Sequence, residues 1–151
     1  MNQRDDISDR SFNPILQTKL HRPQLSADLV NRDRLIEMMN RAREMPLTLV
    51  SAPAGYGKSV LVAQWCEQLD WPTGWLSLDA DDSDLRTFLE YFLAALDDVA
   101  PGACKATQEL LEAASPLPVP VLANYLLNDL DAMDTPCTLV LDDYHRIEAL
   151  S

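Results

Sequence analysis

The segment from Leu47 to Gln64, LTLVSAPAGYGKSVLVAQ, constrains the fold more than any other part of the chain. Its first four residues are apolar and predict a short buried strand. A loop with two glycines, Gly55 and Gly57, comes next, and Lys58-Ser59 then opens an apolar segment with helical spacing. Strand, glycine-containing loop, Lys-Ser and helix follow one another in a phosphate-binding P-loop, the Walker A motif.

The residue types of this loop suit a bound polyphosphate. Glycines allow the backbone N–H groups to approach the phosphates and permit positive φ, and the helix that follows adds the positive end of its dipole. Lys58 is predicted to reach the β- and γ-phosphates, and Ser59 to ligate Mg²⁺. The strict motif has glycine where this chain has Ala52, so the prediction depends on the flanking strand and helix. The predicted nucleotide-binding residues here are Ala54, Gly55, Tyr56, Gly57, Lys58, Ser59 and Val60.

A second apolar run, residues 138–141, ends in two carboxylates, Asp142 and Asp143. This is the Walker B pattern, and its position downstream of a P-loop supports that interpretation. A buried parallel strand delivers its C-terminal residues to the same sheet edge as the P-loop. Asp142 is therefore predicted to hold the Mg²⁺ ion with Ser59, and Asp143 to orient or activate a water for attack on the γ-phosphate. His145 close behind is either a structural histidine or a sensor of the nucleotide state.

Composition and charge narrow the class of protein. With 151 residues, 47% of them hydrophobic, the chain suffices for one globular domain. No apolar run approaches the roughly 18 residues of a membrane span, and the polar N-terminus is unlike a targeting segment, so we expect a cytoplasmic protein with no membrane partner. Residues 61–151 carry 17 acidic and three basic side chains, which argues against direct nucleic-acid binding by this segment. Three widely spaced cysteines predict neither a metal site nor disulfides.

The remaining pattern predicts helices around the strands. A strand is expected at 75–78, and the four aspartates of the loop 79–84 lack the spacing of an EF-hand, so Ser83 or Asp84 is expected to cap the next helix. Asn31 or Asp33 is expected to cap the first helix. The predicted helices cover 31–39 (with Leu35, Met38 and Met39 on its apolar face), the P-loop helix, 85–99, 108–114 and 121–133, with an extended proline-rich linker at 115–120. The predicted fold class is α/β: a partial P-loop NTPase, a three-layer αβα arrangement with a short, mostly parallel sheet whose strands lie near 47–51, 75–78 and 138–142.

Several motifs together resemble the large ATP-binding LuxR-type regulators, the MalT-like transcription activators. The resemblance rests on TKL with a following proline, LVNRDRL, LVSAPAGYGKS, WLSLD and LDDYH, and it covers nearly the whole chain beyond residue 14. It implies a STAND-class signal-transduction NTPase that rests with ADP and multimerises with ATP and inducer. By the same resemblance, Val30 and Arg32 lie by the adenine or ribose, and alanine is usual at position 52.

The resemblance also sets the expected domain organisation: a flexible lead-in at 1–14, and the N-terminal portion of a P-loop NTPase domain at 15–151. Proteins of that kind are several times longer, and in them the strand after Walker B lies between the Walker A and Walker B strands. We therefore expect a fragment in which the sheet rearranges or keeps unsatisfied edges. DNA would be bound only by a C-terminal domain that this sequence does not include, and self-association would belong to the full-length protein.

Three functions remain open at this point. The first is an ATP/ADP-binding regulatory switch with Mg²⁺, whose hydrolysis is at most slow because it serves a population shift between two states. The second is a stand-alone P-loop ATPase or kinase with Asp143 as the base. The third is a truncated protein-interaction module without nucleotide binding.

Overall fold

The structure is a computed structural model, and it describes residues 14–113 and 117–148. It is an α/β arrangement of helices around a short parallel sheet. The helices and strands, in chain order, are α1 (Asp33–Arg41), α2 (Lys58–Cys66), β1 (Thr73–Ser77), α3 (Leu85–Asp97), α4 (Lys105–Glu112), α5 (Val119–Asp131) and β2 (Thr138–Asp142), with 3₁₀ turns at Gln17–Leu20, Ala80–Ser83 and Tyr144–Arg146.

The sheet consists of β1 and β2, paired in parallel from Thr73 opposite Thr138 to Ser77 opposite Asp142. The pairing continues for one more bond, because the Leu78 amide donates to the Asp142 carbonyl at 3.0 Å. Parallel strands need a long crossover, and α3, α4 and α5 supply it. The C-terminal ends of both strands therefore lie side by side, and the predicted α/β class with a short parallel sheet is confirmed.

Side chains of β2 alternate between hydrophobic clusters on the two faces of the sheet. Val140 packs against the cluster built by α1 and α2, which includes Ile36 and Trp65. Leu139 packs against the cluster of α3, α4 and α5, and both Leu139 and Leu141 pack against a cluster formed by β1, α3 and the first 3₁₀ turn. Successive strand residues face opposite sides of a sheet, so this alternation indicates helices on both faces and a three-layer order.

Close packing of α3 on the sheet depends on Gly74 in β1. A Cβ atom at this position would lie 2.7 Å from the Ala95 carbonyl oxygen and 3.0 Å from a methyl group of Leu139. No side chain fits so close to a backbone carbonyl. Glycine is therefore required here by the approach of the helix.

The prediction of a strand at 47–51 is wrong for this structure. Residues 47–51 form no strand, and the sheet contains only β1 and β2 among the described residues. Leu47 and Leu49 are 83% and 85% exposed, whereas Val50 packs against the α1–α2 cluster. A strand forms only against a neighbour with which it exchanges backbone hydrogen bonds, and neither β1 nor β2 pairs with this segment.

Helix and strand boundaries differ from the prediction by a few residues. Strand β1 lies two residues earlier than expected at its N-terminal end, α4 begins at Lys105 rather than 108, and α5 begins at Val119, so the last two residues of the expected linker are helical. Proline is tolerated in the first turn of a helix because its missing N–H has no partner there. Residues 115 and 116 of the expected linker, residue 114 of the expected helix 108–114, and residues 1–13 of the lead-in lie outside the described residues.

The predicted caps and apolar face of α1 also need correction. Its N-cap residue is Arg32, and no side chain caps the helix, so neither Asn31 nor Asp33 has that role. The buried residues are Ile36 and Met39. The expected apolar-face residues Leu35 and Met38 are exposed, because the helix is rotated to place Ile36 against α2. For α3 the prediction is confirmed at Asp84, whose carboxylate accepts from the Thr87 amide at 2.9 Å.

A buried ion-pair cluster anchors the N-terminal 3₁₀ turn to the loop after β1. The Lys19 ammonium lies 2.8 Å from carboxylate oxygens of both Asp79 and Asp82, and 4.7 Å from the ring centre of Tyr91. Burial alone would lower the pKa of Lys19, but the two carboxylates outweigh it and the pKa lies above its ordinary value of 10.5. The same bond to Lys19 lowers the pKa of Asp79. The acidic loop is thus occupied by an internal cation and by its own backbone N–H groups.

The three cysteines are packing residues. Cys66 and Cys104 are buried and Cys137 is half-buried, and none of them forms a disulfide. Burial raises the pKa of all three thiols, which disfavours the reactive thiolate. Within the described residues, no helix has both the length and the apolar character needed to cross a membrane.

Candidate functional site

The loop that precedes α2 has the backbone conformation expected of a phosphate loop at both glycines. Gly55 has φ of 81° and Gly57 has φ of 72°, a left-handed region that favours glycine. Gly57 is the N-cap of α2, and its carbonyl accepts the first helical hydrogen bond from the Leu61 amide at 3.0 Å. The helix therefore begins directly at Lys58, with the free N–H groups of its first turn at the loop. Such a helix start favours anions.

Lys58 lies folded over its own loop. Its ammonium donates to the carbonyl oxygens of Ala52 at 2.8 Å and Pro53 at 3.2 Å. These two bonds hold the cation beside the exposed loop. Both acceptors of the Lys58 ammonium are backbone carbonyls rather than carboxylates.

The structure brings Ser59 and Asp142 together, although they are 83 residues apart in sequence. The Ser59 hydroxyl donates to the Asp142 carboxylate at 2.8 Å. Ser59 lies in the first turn of α2 and Asp142 at the C-terminal end of β2, so two separate elements meet at one edge of the sheet. This is the pairing that the two motifs predicted from sequence.

Asp143 adopts an unusual backbone conformation. Its φ of 56° is the only positive value at a non-glycine position among the described residues. Its amide donates to the Asp142 carboxylate at 3.0 Å, and its own carboxylate lies 3.7 Å from the Arg146 guanidinium and 3.9 Å from the His145 ring. The side chain is thereby directed to the basic turn that follows β2, and it is partly exposed to solvent.

Arg32 contacts the glycine loop directly. Its guanidinium donates to the Tyr56 carbonyl at 2.8 Å, and a Cβ atom at Gly57 would lie 3.0 Å from one of its nitrogens. Val30 is 76% exposed, and the Tyr56 ring is exposed beside the loop. The segment that leads into α1 is thus joined to the glycine loop through Arg32.

The oxygen atoms of Ser59 and Asp142 suit Mg²⁺. The ion prefers hard oxygen ligands and is usually held by one or two carboxylates together with waters and substrate phosphates. Among the described residues, no cluster of three or more histidine, cysteine or acidic side chains is arranged for a metal. A site of one hydroxyl and one carboxylate is therefore compatible with Mg²⁺ shared with phosphates.

Two features of the site were missed from sequence. One is the bond from Arg32 to the loop carbonyl, which no residue spacing predicts because the two residues belong to separate segments. The other is Gln64, which lines a cleft beside α2. Gln64 lies four residues after Val60 and so on the same helical face, and this spacing was the available signal.

Sequence comparison identifies relatives of the chain. The chain is 36% identical over 133 residues to the HTH-type transcriptional regulator MalT of Yersinia pestis (strain Pestoides F). Its identity to MalT of Yersinia pseudotuberculosis serotype O:1b (strain IP 31758) is the same. MalT of Yersinia enterocolitica serotype O:8 / biotype 1B is also 36% identical, over 134 residues. No protein-family model matches the chain. The chain is related to the MalT regulators.

The relationship to MalT covers 88% of this chain but only 15% of the length of those regulators. This similarity supports the interpretation that the chain is a segment related to a transcription regulator.

Proposed function

We propose that this chain is the phosphate-binding part of an ATP/ADP-responsive switch in a transcription regulator of the MalT type. The observation that carries the proposal is the 2.8 Å hydrogen bond between Ser59 and Asp142. A hydroxyl at the start of a helix and a carboxylate at the end of a parallel strand meet beside a glycine loop. This juxtaposition serves Mg-nucleotide binding and has no evident packing purpose at a half-exposed sheet edge.

Each residue has a distinct part in the proposed site. The N–H groups from Ala54 to Val60 surround the phosphates, and Lys58 exchanges its bonds to the Ala52 and Pro53 carbonyls for bonds to phosphate oxygens. Ser59 and Asp142 hold Mg²⁺, which would neutralise phosphate charge. Val30 and Arg32 flank the nucleoside, and Arg32 also holds the loop through the Tyr56 carbonyl.

Slow hydrolysis follows from the position of Asp143. A residue that activates water has to be in hydrogen-bond reach of the proton that it removes. The Asp143 carboxylate lies 3.7 Å from the Arg146 guanidinium and 3.9 Å from the His145 ring, so it has to turn away from these neighbours to reach a water beside the γ-phosphate. We therefore assign Asp143 as the catalytic residue of a slow, regulatory hydrolysis rather than of an efficient enzyme.

The full-length protein would act in the cytoplasm and would self-associate in its ATP-bound state. DNA would be contacted by a separate C-terminal domain, because the acidic second half of this chain repels a phosphate backbone. The nucleotide would thus control DNA binding at a distance.

Nucleotide titration tests the proposal. ADP and ATP with Mg²⁺ are titrated into the wild-type chain, Lys58→Ala and the matched control Lys105→Ala, whose lysine lies on the exposed face of α4. Lys58→Ala should weaken binding at least tenfold, and the control should bind like wild type. Ser59→Ala and Asp142→Asn should remove the Mg²⁺ dependence of affinity. Equal affinities of wild type and Lys58→Ala would refute the assignment of the phosphate loop.

A further inference from the structure

Ser77, the last residue of β1, lies beside the Ser59–Asp142 pair at the C-terminal edge of the sheet. The parallel register places Ser77 opposite Asp142, and residues opposite one another on neighbouring strands point to the same face. Asp142 points to the face covered by α2, because its carboxylate accepts from Ser59 in the first turn of that helix. Ser77 therefore points to that face as well, from a strand about 4.8 Å away.

A hydrogen bond inside β1 agrees with this direction and orients the serine oxygen. The indole N–H of Trp75 donates to Ser77 Oγ at 3.1 Å, and residues two apart in a strand share a face. Trp75 is only 3% exposed, so its ring is held in place by packing. A serine oxygen accepts two hydrogen bonds. The indole takes one of these positions, so Ser77 keeps one acceptor position at the half-buried end of the strand.

The Ser59–Asp142 bond leaves oxygen atoms for a cation. The Ser59 hydroxyl and the Asp143 amide both donate to the same carboxylate oxygen, Oδ1 of Asp142, so neither bond engages Oδ2. Mg²⁺ held at such a pair keeps several waters, because it gives up its hydration shell reluctantly. A Mg–water distance of about 2.1 Å and a hydrogen bond of about 2.8 Å together span about 4 Å when they meet at an angle. An acceptor on the neighbouring strand is therefore at a suitable distance for one of these waters.

We propose that Ser77 is a further residue of the magnesium site and that its oxygen accepts a hydrogen bond from a water bound to Mg²⁺; this rests on the proposed function. A cation polarises the waters that it binds and makes them strong donors. Groups that orient the ligands of a metal from outside tune its affinity. Ser77 is thus a positioning residue that acts through the water, and the indole of Trp75 keeps its second lone pair directed at the site.

Calorimetric titration of Mg²⁺ into the ADP-saturated chain tests the proposal. Ser77→Ala removes the acceptor and should weaken Mg²⁺ binding about tenfold, the lower end of the usual effect of such outer groups. Ser77→Thr keeps the hydroxyl on a residue that suits a strand, so it should bind Mg²⁺ like wild type. The affinity for ADP in EDTA should be the same in all these proteins, because Ser77 does not contact the nucleotide.

Thr138→Val is the matched control, since Thr138 makes the same kind of contact at the other end of the sheet. Its hydroxyl accepts from the Trp71 indole at 2.8 Å, and it lies four residues before Asp142, about 13 Å along β2. Thr138→Val should bind Mg²⁺ like wild type. Trp75→Phe removes the indole N–H and should weaken Mg²⁺ binding less than Ser77→Ala does, since the serine oxygen remains but is no longer held.

If wild type binds ADP with Mg²⁺ and Ser77→Ala has the same Mg²⁺ affinity, the proposal is overturned and the proposed function stands. Equal weakening in Thr138→Val, or weaker ADP binding by Ser77→Ala in EDTA, would assign the effect to the stability of the sheet and would also overturn it. A wild-type chain that binds no ADP refutes the proposed function, and this inference with it. If Ser77→Ala fails to fold by circular dichroism, Ser77→Cys replaces it with the same expected loss, because a thiol is of similar size but a weak acceptor.

Discussion

Replacing Lys19 by methionine should destabilise the chain more than any other single lysine substitution. Methionine keeps the apolar stem but leaves Asp82, whose side chain is 0% exposed, without its cation, while Lys19 itself is 12% exposed. Breaking one side of a buried ion pair costs about 3–5 kcal/mol, because the remaining charge stays buried. At about 2–4 °C per kcal/mol for a chain of this size, a loss of about 3 kcal/mol lowers the melting temperature by about 6–12 °C.

Urea unfolding followed by circular dichroism measures this loss. Lys105→Met is the matched control, because Lys105 is 77% exposed and its partner Glu109 lies 3.8 Å away on the same helix; it should change stability by no more than about 0.5 kcal/mol. The double variant Lys19→Met/Asp82→Asn should recover part of the loss, since no buried charge is left. A loss below about 1 kcal/mol for Lys19→Met would show that the cluster does not stabilise the fold.

Three further predictions concern glycines and acid. Gly74→Ala should cost about 1–3 kcal/mol in urea unfolding, because its methyl group meets a carbonyl of α3 at 2.7 Å; a neutral effect would mean that α3 does not pack as described. Gly57→Ala should lower the free energy of unfolding by about 1 kcal/mol more than Gly102→Ala. Both glycines have positive φ, but only a methyl group at Gly57 displaces the Arg32 guanidinium from its 2.8 Å bond. Equal losses would mean that backbone strain alone causes the effect. The bond to Lys19 lowers the pKa of Asp79, and the Thr87 amide lowers the pKa of Asp84. The ionised carboxylates therefore stabilise the fold at pH values above their ordinary pKa of 3.8, and this stabilisation is lost as the pH falls through their lowered pKa values in the folded chain. The melting temperature should therefore decrease between pH 6 and pH 2, and this decrease should be smaller for Asp84→Asn than for wild type.

Local patterns predicted most of the elements. The helical spacing of the apolar residues in α3 and the proline-glycine pair after it predicted that helix to within two residues. The apolar run before Asp142 predicted β2. The meeting of Ser59 with Asp142 was predicted from a parallel sheet that included a strand at 47–51, and the two residues meet although that strand is not part of the sheet. These features depend on residues close in sequence, or on one general rule of sheet geometry.

Features that depend on distant partners escaped prediction. Leu47 and Leu49 have the side chains of a buried strand, yet no neighbouring strand pairs with them. The role of Lys19 also escaped, because its carboxylate partners lie some 60 residues away. The apolar face of α1 was assigned to Leu35 and Met38 instead of Ile36, since a short helix offers overlapping faces and only packing against α2 decides between them.

The unpaired segment before the phosphate loop has a thermodynamic consequence for any ligand. Fixing the backbone of one residue costs about 1–2 kcal/mol, and residues 47–50 have no strand hydrogen bonds to offset that cost in advance. If the binding-competent arrangement of this segment is populated only in part, the apparent dissociation constant rises by the reciprocal of that fraction. A contact that pairs residues 47–50 with a strand would then raise nucleotide affinity without touching the nucleotide, and by reciprocity the nucleotide would strengthen that contact.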